Sequence, residues 1–319
     1  MADDRSMSEI VFQAHAGTVY PLKLICSGER PSLITCGEGG SSSIARWDPL
    51  TGEKLCAYDN RWRVSDFLVI DEEDPRGRIL AATQDGISSW DLHDGGRSFG
   101  FSSPSADEFH MLSPGSFSDG TRFVAASCRE GIYFVDPLSG QPLRPFLAFG
   151  LGDCTSVLTL APSPGLCLVA AGGDNGYVRV WSADNQELLH QFEGNFESLI
   201  ASMAVNYLDD GSTILTCGDI DGVIYRWNIS TGAQFGSAIA SSDLITNIVS
   251  IDSGPNHLLI VSGQDGAVHQ WNCLTGEMAA DLIDGVVVDA AIAPGGSLLI
   301  AVGRYDGNVA VSRLRLNVD

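Results

Sequence analysis

Residues Leu259 to Glu277 read LIVSGQDGAVHQWNCLTGE, and this stretch decides the fold. Leu259, Ile260 and Val261 form a short apolar run of the kind that fills a buried strand. Asp265-Gly266 is a hairpin signal, because glycine tolerates the positive φ that tight turns need. Val268 and Trp271 anchor the strand that follows, and Thr275-Gly276 turns the chain again. The same strand, turn, strand, turn phrase is written elsewhere in the chain, so the first structural question is one of repeats.

The pair Trp-Asp or Trp-Asn serves as a ruler. It occurs at Trp47-Asp48, Trp90-Asp91, Trp227-Asn228 and Trp271-Asn272, with Val135-Asp136 and Trp181-Ser182 as degenerate copies and Ser312 in the seventh position. Successive copies fall at intervals of 41 to 46 residues. The turn before the ruler strand recurs as Asp85-Gly86, Glu130-Gly131, Asn175-Gly176, Asp221-Gly222, Asp265-Gly266 and Asp306-Gly307. The turn after it recurs as Thr51-Gly52, Ser139-Gly140, Thr231-Gly232 and Thr275-Gly276. Helical periodicity is nowhere sustained.

This pattern resembles the WD-repeat β-propeller family, from about Ile10 to Leu314. The resemblance implies an all-β, seven-bladed β-propeller of four-stranded antiparallel blades. A His-x-Gly-like element at His15-Ala16-Gly17 places Ile10–Ala14 before the first blade. That segment is expected to be the outer strand of blade seven, closing the ring and removing its exposed edges. Residues 1–8 read as a disordered leader, and 9–319 as the propeller. Blade one is expected from Thr18 to about Tyr58, blade two from Val64 and blade three from Phe109 to Phe146. The Ser/Gly/Pro-rich segment from Gly95 to Asp107 reads as a long loop leading into blade three. In blade five the outer strand is weak, near Gln234–Ser237.

Composition narrows the function. The net charge is −22, a field that repels nucleic-acid phosphates and anionic membrane surfaces. It serves solubility, or it steers a basic partner. No apolar run is long enough for a spanning helix, and the acidic N-terminus MADDRSMSEI has no signal-peptide pattern, so a cytoplasmic protein is expected. The eight cysteines include no C-x-x-C pair and read as buried free thiols.

Blades of the family carry a hydrogen-bonded network of an inter-blade His, a strand Ser or Thr, the turn Asp and the Trp. Here only His15 matches the His position; His93, His110, His190, His257 and His269 do not. Blade one has His15 and Trp47 but lacks the turn Asp. Stability is therefore expected mainly from apolar packing. Trp47, Trp90, Trp181, Trp227 and Trp271, together with the turn acids Asp85, Asp221, Asp265 and Asp306, are read as structural residues. The turn acids are expected to accept bonds from nearby backbone N–H groups.

No nucleophile elbow, phosphate loop or His-Glu-x-x-His is present. Asp219-Ile220-Asp221-Gly222 echoes part of a calcium loop, but the later Glu ligand is missing and the segment coincides with a repeat turn. The acidic run 71–74 reads as a solvated turn before Pro75. No cofactor, metal or catalytic residue is expected. The preferred reading is a non-catalytic protein- or peptide-binding scaffold, monomeric, using the face where the loops into the innermost strands meet the Asp-Gly turns. On that face Arg61, Trp62, Arg63, Arg129, Ile220, Arg304 and Tyr305 are the candidate partner contacts, because aromatic and Arg side chains dominate interface energetics. Trp62 is singled out as the one Trp off the ruler. Phe109 and Phe196 read as plugs between blades. Two alternatives remain: a metal-dependent propeller hydrolase or lactonase built on innermost-strand residues such as Asp66, Asp153 and Asp289, or a signalling module sensing a small ligand in the channel.

Overall fold

A computed structural model describes residues 8–26, 30–37, 43–70, 77–102, 108–150, 152–194, 197–241, 243–253 and 256–315. The acidic run 71–74, Phe196 and most of the expected leader lie outside them. Seven antiparallel sheets form the blades of a propeller, six of them four-stranded and the fifth carrying one extra two-residue strand. In each blade the chain runs from an innermost strand outward. Blade one is built from Val19–Ile25, Ser32–Gly37, Ile44–Trp47 and Lys54–Tyr58. The innermost strand Val19–Ile25 lies between those of blade two, Val64–Ile70, and blade seven, Val287–Ile292, so the blades form a closed circle.

Closure is made by the N-terminal strand. Ser8–Gln13 pairs antiparallel with Asn308–Arg315, with Ile10 opposite Val311 and Phe12 opposite Val309. The last blade thus has its fourth strand supplied from the start of the chain, and its edge is covered. The chain then leaves the blade past Gly307, whose carbonyl accepts from the backbone N–H groups of Ala14 (3.0 Å) and His15 (3.1 Å). Gly307 has φ 84°, and a Cβ there would sit 2.0 Å from the carbonyl oxygen of His15, so only glycine fits.

The ruler positions hold one register throughout. Trp47, Trp90, Val135, Trp181, Trp227, Trp271 and Ser312 each sit opposite an apolar residue of the second strand: Leu33, Ile79, Val124, Val169, Leu215, Leu259 and Ile300. The residue after the Trp explains its own chemistry. The side-chain oxygen of Asn272 accepts from the N–H groups of Leu274 (2.8 Å) and Thr275 (3.0 Å), and Asn228 does the same for Ser230 and Thr231. Asp136 repeats this at Leu138 and Ser139, and Asp and Asn are interchangeable because one acceptor oxygen is all the turn requires.

The core is divided among the blade interfaces, one apolar cluster for each of the seven. Period-2 alternation achieves this division. In blade one Leu33 packs towards blade seven and its neighbour Ile34 packs towards blade two. Both faces of each sheet are therefore buried, which is why the second strands read as unbroken apolar runs. Each ruler Trp packs towards the preceding blade.

The structure differs from the sequence reading in the outer strands of blades two, three and five; in blade three that strand, Leu147–Ala148, lies just beyond the expected end at Phe146. Arg97–Phe101, expected within a loop, is the outer strand of blade two and pairs with Gly86–Asp91. Phe101 packs edge-on to Phe109 and Tyr133 of blade three, which draws a Gly/Ser-rich segment into the sheet. In blade five the weak outer strand is split into Ala233–Gln234 and Ile239–Ala240, both paired with Val223–Asn228. Among the described residues no helix is long and apolar enough to cross a membrane.

Candidate functional site

Two sets of loops meet at one end of the ring, and backbone hydrogen bonds join them. Cys154 N–H donates to Arg129 O at 2.7 Å, Ile220 N–H to Leu199 O at 3.0 Å and Gln264 N–H to Leu244 O at 2.9 Å. Val19 N–H donates to Arg304 O and Gly285 N–H to Gly266 O. The turns of blades three, five, six and seven are thereby fixed to loops that lead into innermost strands. The result is a rigid rim, the kind of framework on which binding residues are presented with little loss of conformational entropy.

The candidate contacts are distributed around that rim rather than gathered in one pocket. Arg61, Trp62 and Arg63 lie on the loop between blades one and two, with both arginines exposed and Trp62 half-buried. Arg129, in blade three, is exposed and pairs with Asp153 at 3.0 Å. Ile220, in blade five, is exposed on the far side of the ring. Arg304, in blade seven, donates to Asp284 O at 3.1 Å and to Glu9 at 3.2 Å. Tyr305 is 57% exposed, and its hydroxyl donates to Gln264 O at 2.9 Å. Among these, the structure brings Arg61 and Trp62 together with Asp85. A cleft of about 540 Å³ between blades one and two is lined by Asp59, Arg61, Trp62, Asp85, Trp90 and Arg97. Asn60 holds its floor: the side-chain amide donates to Trp62 O at 2.6 Å and its oxygen accepts from Trp62 N–H at 3.3 Å. Trp90 closes the inner wall and donates through its indole N–H to Asp59 O at 3.0 Å.

The turn acids have varied roles. Asp265 accepts from Ala267 N–H at 2.9 Å and Asp306 from Asn308 N–H at 3.0 Å. At Asp85 the turn is organised by Thr83, whose hydroxyl donates to Gly86 O and accepts from Asp85 N–H. In blade five the equivalent acceptor is Asp219: one of its oxygens receives the N–H groups of Asp221 (3.0 Å) and Val223 (2.8 Å). Burial raises the Asp219 carboxyl above the usual carboxylate range, and these backbone bonds oppose the rise. The sequence carried a signal for this, since blades one, four and six place Gly37, Gly173 and Gly263 where Asp219 stands.

Blade one carries a side-chain network. His15 Nε2 and Thr35 Oγ1 are 2.7 Å apart, and Trp47 Nε1–H donates to the same hydroxyl oxygen at 2.9 Å. His15 Nδ1 meets Ser43 Oγ at 3.0 Å, so a serine occupies the far side of the ring where the family's turn Asp is missing. Gly37 makes room: a Cβ there would lie 2.6 Å from the His15 side chain. Burial holds the His15 imidazole down to about 4, and nearby Lys54 adds to the effect.

The innermost strands have one unpaired edge each, and side chains of adjacent blades cap it. Asp289 accepts from Leu24 N–H at 2.7 Å and Asp66 from Leu112 N–H at 2.8 Å. Ser202 Oγ accepts from Ile248 N–H at 3.0 Å, and Ser113 Oγ from Thr159 N–H at 2.9 Å. Lys23 stands 3.5 Å from Asp289, which raises its ammonium above the usual lysine value; burial opposes this and Asp66 reinforces it. Burial pushes Asp66 up to about 6. Asp66 and Asp289 are thus engaged in joining blades, and Asp153 in pairing Arg129. Among the described residues no three His, Cys, Asp or Glu side chains come together as a metal-holding group.

Comparison with known proteins places this geometry in context. The WD domain, G-beta repeat family matches residues 147–182, the end of blade three through the ruler Trp of blade four. The chain is 23% identical to Protein ROOT INITIATION DEFECTIVE 3 of Arabidopsis thaliana, over 73% of this chain and 54% of that protein. It is 26% identical to Topless-related protein 4 of the same plant, over 57% of this chain and 16% of that one. Pre-rRNA-processing protein crb3/ipi3 of Schizosaccharomyces pombe (strain 972 / ATCC 24843) is 24% identical over 38% of this chain and 30% of its own length. The chain therefore spans about half or less of the length of these curated relatives. Among solved structures, BBS1N, crystallised in complex with ARL6DN, superposes with a TM-score of 0.76 over 97% of both chains at 10% identity, a likeness of fold alone. With the repeat, the register and the closed ring already in place, the chain is a seven-bladed propeller that carries a WD repeat and resembles the WD-repeat β-propeller proteins.

Proposed function

We propose that this propeller is a non-catalytic scaffold that binds a protein or peptide partner through the loop face, centred on the cleft between blades one and two. The observation that carries the reading is Trp62, which stands half-exposed on a loop held by Asn60 and faces a cleft flanked by Arg61 and Arg97. A large aromatic on a pre-organised loop beside guanidinium groups is the composition of an interface hot spot. The fold and the WD-repeat relatives support a protein-interaction role in general terms. The net charge of −22 supports a basic partner and disfavours nucleic acid. All eight cysteines are free, which fits a reducing compartment such as the cytoplasm.

The test is affinity capture from native lysate with wild type and a Trp62→Ala, Arg129→Ala double variant, the bound proteins being identified by mass spectrometry. A partner retained by wild type and lost by the folded variant supports the reading. Identical captured sets count against this face. No capture by either protein counts against the scaffold itself.

A further inference from the structure

We propose that the cleft between blades one and two receives an arginine side chain from an extended segment of the partner. This rests on the scaffold reading and names the chemistry of what that scaffold holds.

Four charged groups line the cleft, Asp59 and Asp85 with Arg61 and Arg97. Among the described residues none of the four is in an ion pair, in contrast to Arg129 and Arg304 on the same rim. The local charge is therefore balanced, and the wider field decides which ion enters. That field is set by a net charge of −22 and favours a cation. The rim adds to it locally: exposed acids at Glu130, Asp221, Asp265 and Asp306 occupy the corresponding turns of other blades. An anionic ligand gains two guanidiniums but must approach through this potential.

Shape and chemistry favour arginine over lysine. A planar guanidinium stacks on an indole face and donates to two carboxylate oxygens in a fork, whereas an ammonium is a hydrated point charge. Trp62 supplies the indole at the mouth, and Asp59 and Asp85 supply carboxylates that have no internal partner. Trp62 is pre-ordered by its bonds to Asn60, so stacking costs little additional freedom. The exposed side chains of Arg61 and Arg97, which line the same cleft, are then free to hold carbonyl oxygens or an acidic neighbour of the inserted arginine. The partner segment is thus an extended one with a central arginine.

The experiment uses the full chain and fluorescein-labelled Gly/Ser octapeptides carrying one central arginine, lysine, glutamate or phosphoserine, with affinity read by fluorescence anisotropy at two salt concentrations. The arginine peptide is expected to bind best and to weaken at the higher salt. Trp62→Ala is expected to weaken it by about tenfold or more. An Asp59→Asn, Asp85→Asn variant, whose changes are exposed and isosteric, is expected to do the same with an unaltered melting curve. Preferential binding of the glutamate or phosphoserine peptide, lost in Arg61→Ala, Arg97→Ala, overturns the proposal. So does the absence of any Trp62-dependent peptide binding. If lysate capture still yields a Trp62-dependent partner whose bound segment contains no arginine, the scaffold reading survives and this inference fails. If no Trp62-dependent partner is captured either, both fail.

Discussion

Arg226 donates through Nη1 to the backbone carbonyl of Cys273 in the next blade; its side chain is buried and, among the described residues, is in no ion pair. Nη2 donates to Ser237 O at 3.1 Å, and the guanidinium lies over the Phe235 ring. Blade one repeats the device more loosely: Arg46, also one residue before the ruler Trp, reaches Leu92 O at 3.5 Å, and Leu92 stands where Cys273 does. Blades one and five thus share an arginine clamp to the blade that follows. Arg226→Met is expected to destabilise by about 2 kcal/mol, since buried carbonyls lose charge-assisted donors. Arg46→Met is expected to cost less than about 1 kcal/mol. Chemical denaturation of both variants checks the order.

Thr35 is the shared partner of His15 and Trp47, so the three side chains act as a unit. Thr35→Val leaves two buried nitrogen groups without their partner and is expected to cost about 2 kcal/mol. In a double-mutant cycle with Trp47→Phe the two losses are expected to be less than additive. Additive losses would show that the network carries no coupling.

The same network sets a pH dependence. Burial holds the folded His15 imidazole down to about 4, below its ordinary value of 6.5, so the unfolded chain binds the extra proton between those values. Its contribution is therefore complete above pH 6.5 and is lost as pH falls towards 4, by up to about 3 kcal/mol. Asp66 acts in the opposite sense. Its folded value of about 6 lies above 3.8, so its contribution is complete below 3.8 and is lost as pH rises through 6. The two partly cancel in the wild type. The stability difference between wild type and His15→Ala is expected to shrink as pH falls from 6.5 to 4, measured by urea denaturation across that range. A constant difference would contradict the assignment.

Ring closure by Ser8–Gln13 leaves a clear consequence. Removing residues 1–14 exposes the edge of Asn308–Arg315 and uncovers Val309 and Val311, which belong to the cluster between blades seven and one. The truncated chain is expected to aggregate or to dimerise edge to edge, as seen by light scattering. Gly307→Ala is the milder test: the Cβ meets the His15 carbonyl, and a melting temperature several degrees lower is expected.

The ring was legible because its determinants are periodic. Trp47, Trp90, Trp181, Trp227 and Trp271 recur at one register, and the turn signals on either side bound each hairpin. Arg97–Phe101 escaped because its composition is that of a loop and its pairing depends on Phe101 meeting Phe109 and Tyr133 across a blade interface, a contact no local pattern encodes. The missing turn Asp of blade one concealed a network completed by Ser43 from another position. Asp66 and Asp289 resembled candidate metal ligands in the sequence, and only the geometry shows them capping the strand edges of adjacent blades. The cleft beside Trp62 draws on the loop 59–62 and on the third strand of blade two with the turns on either side of it, so its composition was scattered along the chain; Trp62 itself stood out only by lying off the ruler.

The central claim is that partners engage the loop face at the blade one–two cleft. The direct measurement is site-specific photo-crosslinking in native lysate, with a benzophenone amino acid at Arg61 on that face and at Leu166 beside the hairpin at the opposite end of the ring. The account predicts a discrete crosslinked partner from position 61 that disappears in the Trp62→Ala background, and none of that species from position 166. The same partner crosslinked equally from both positions, or from 166 alone, would contradict it.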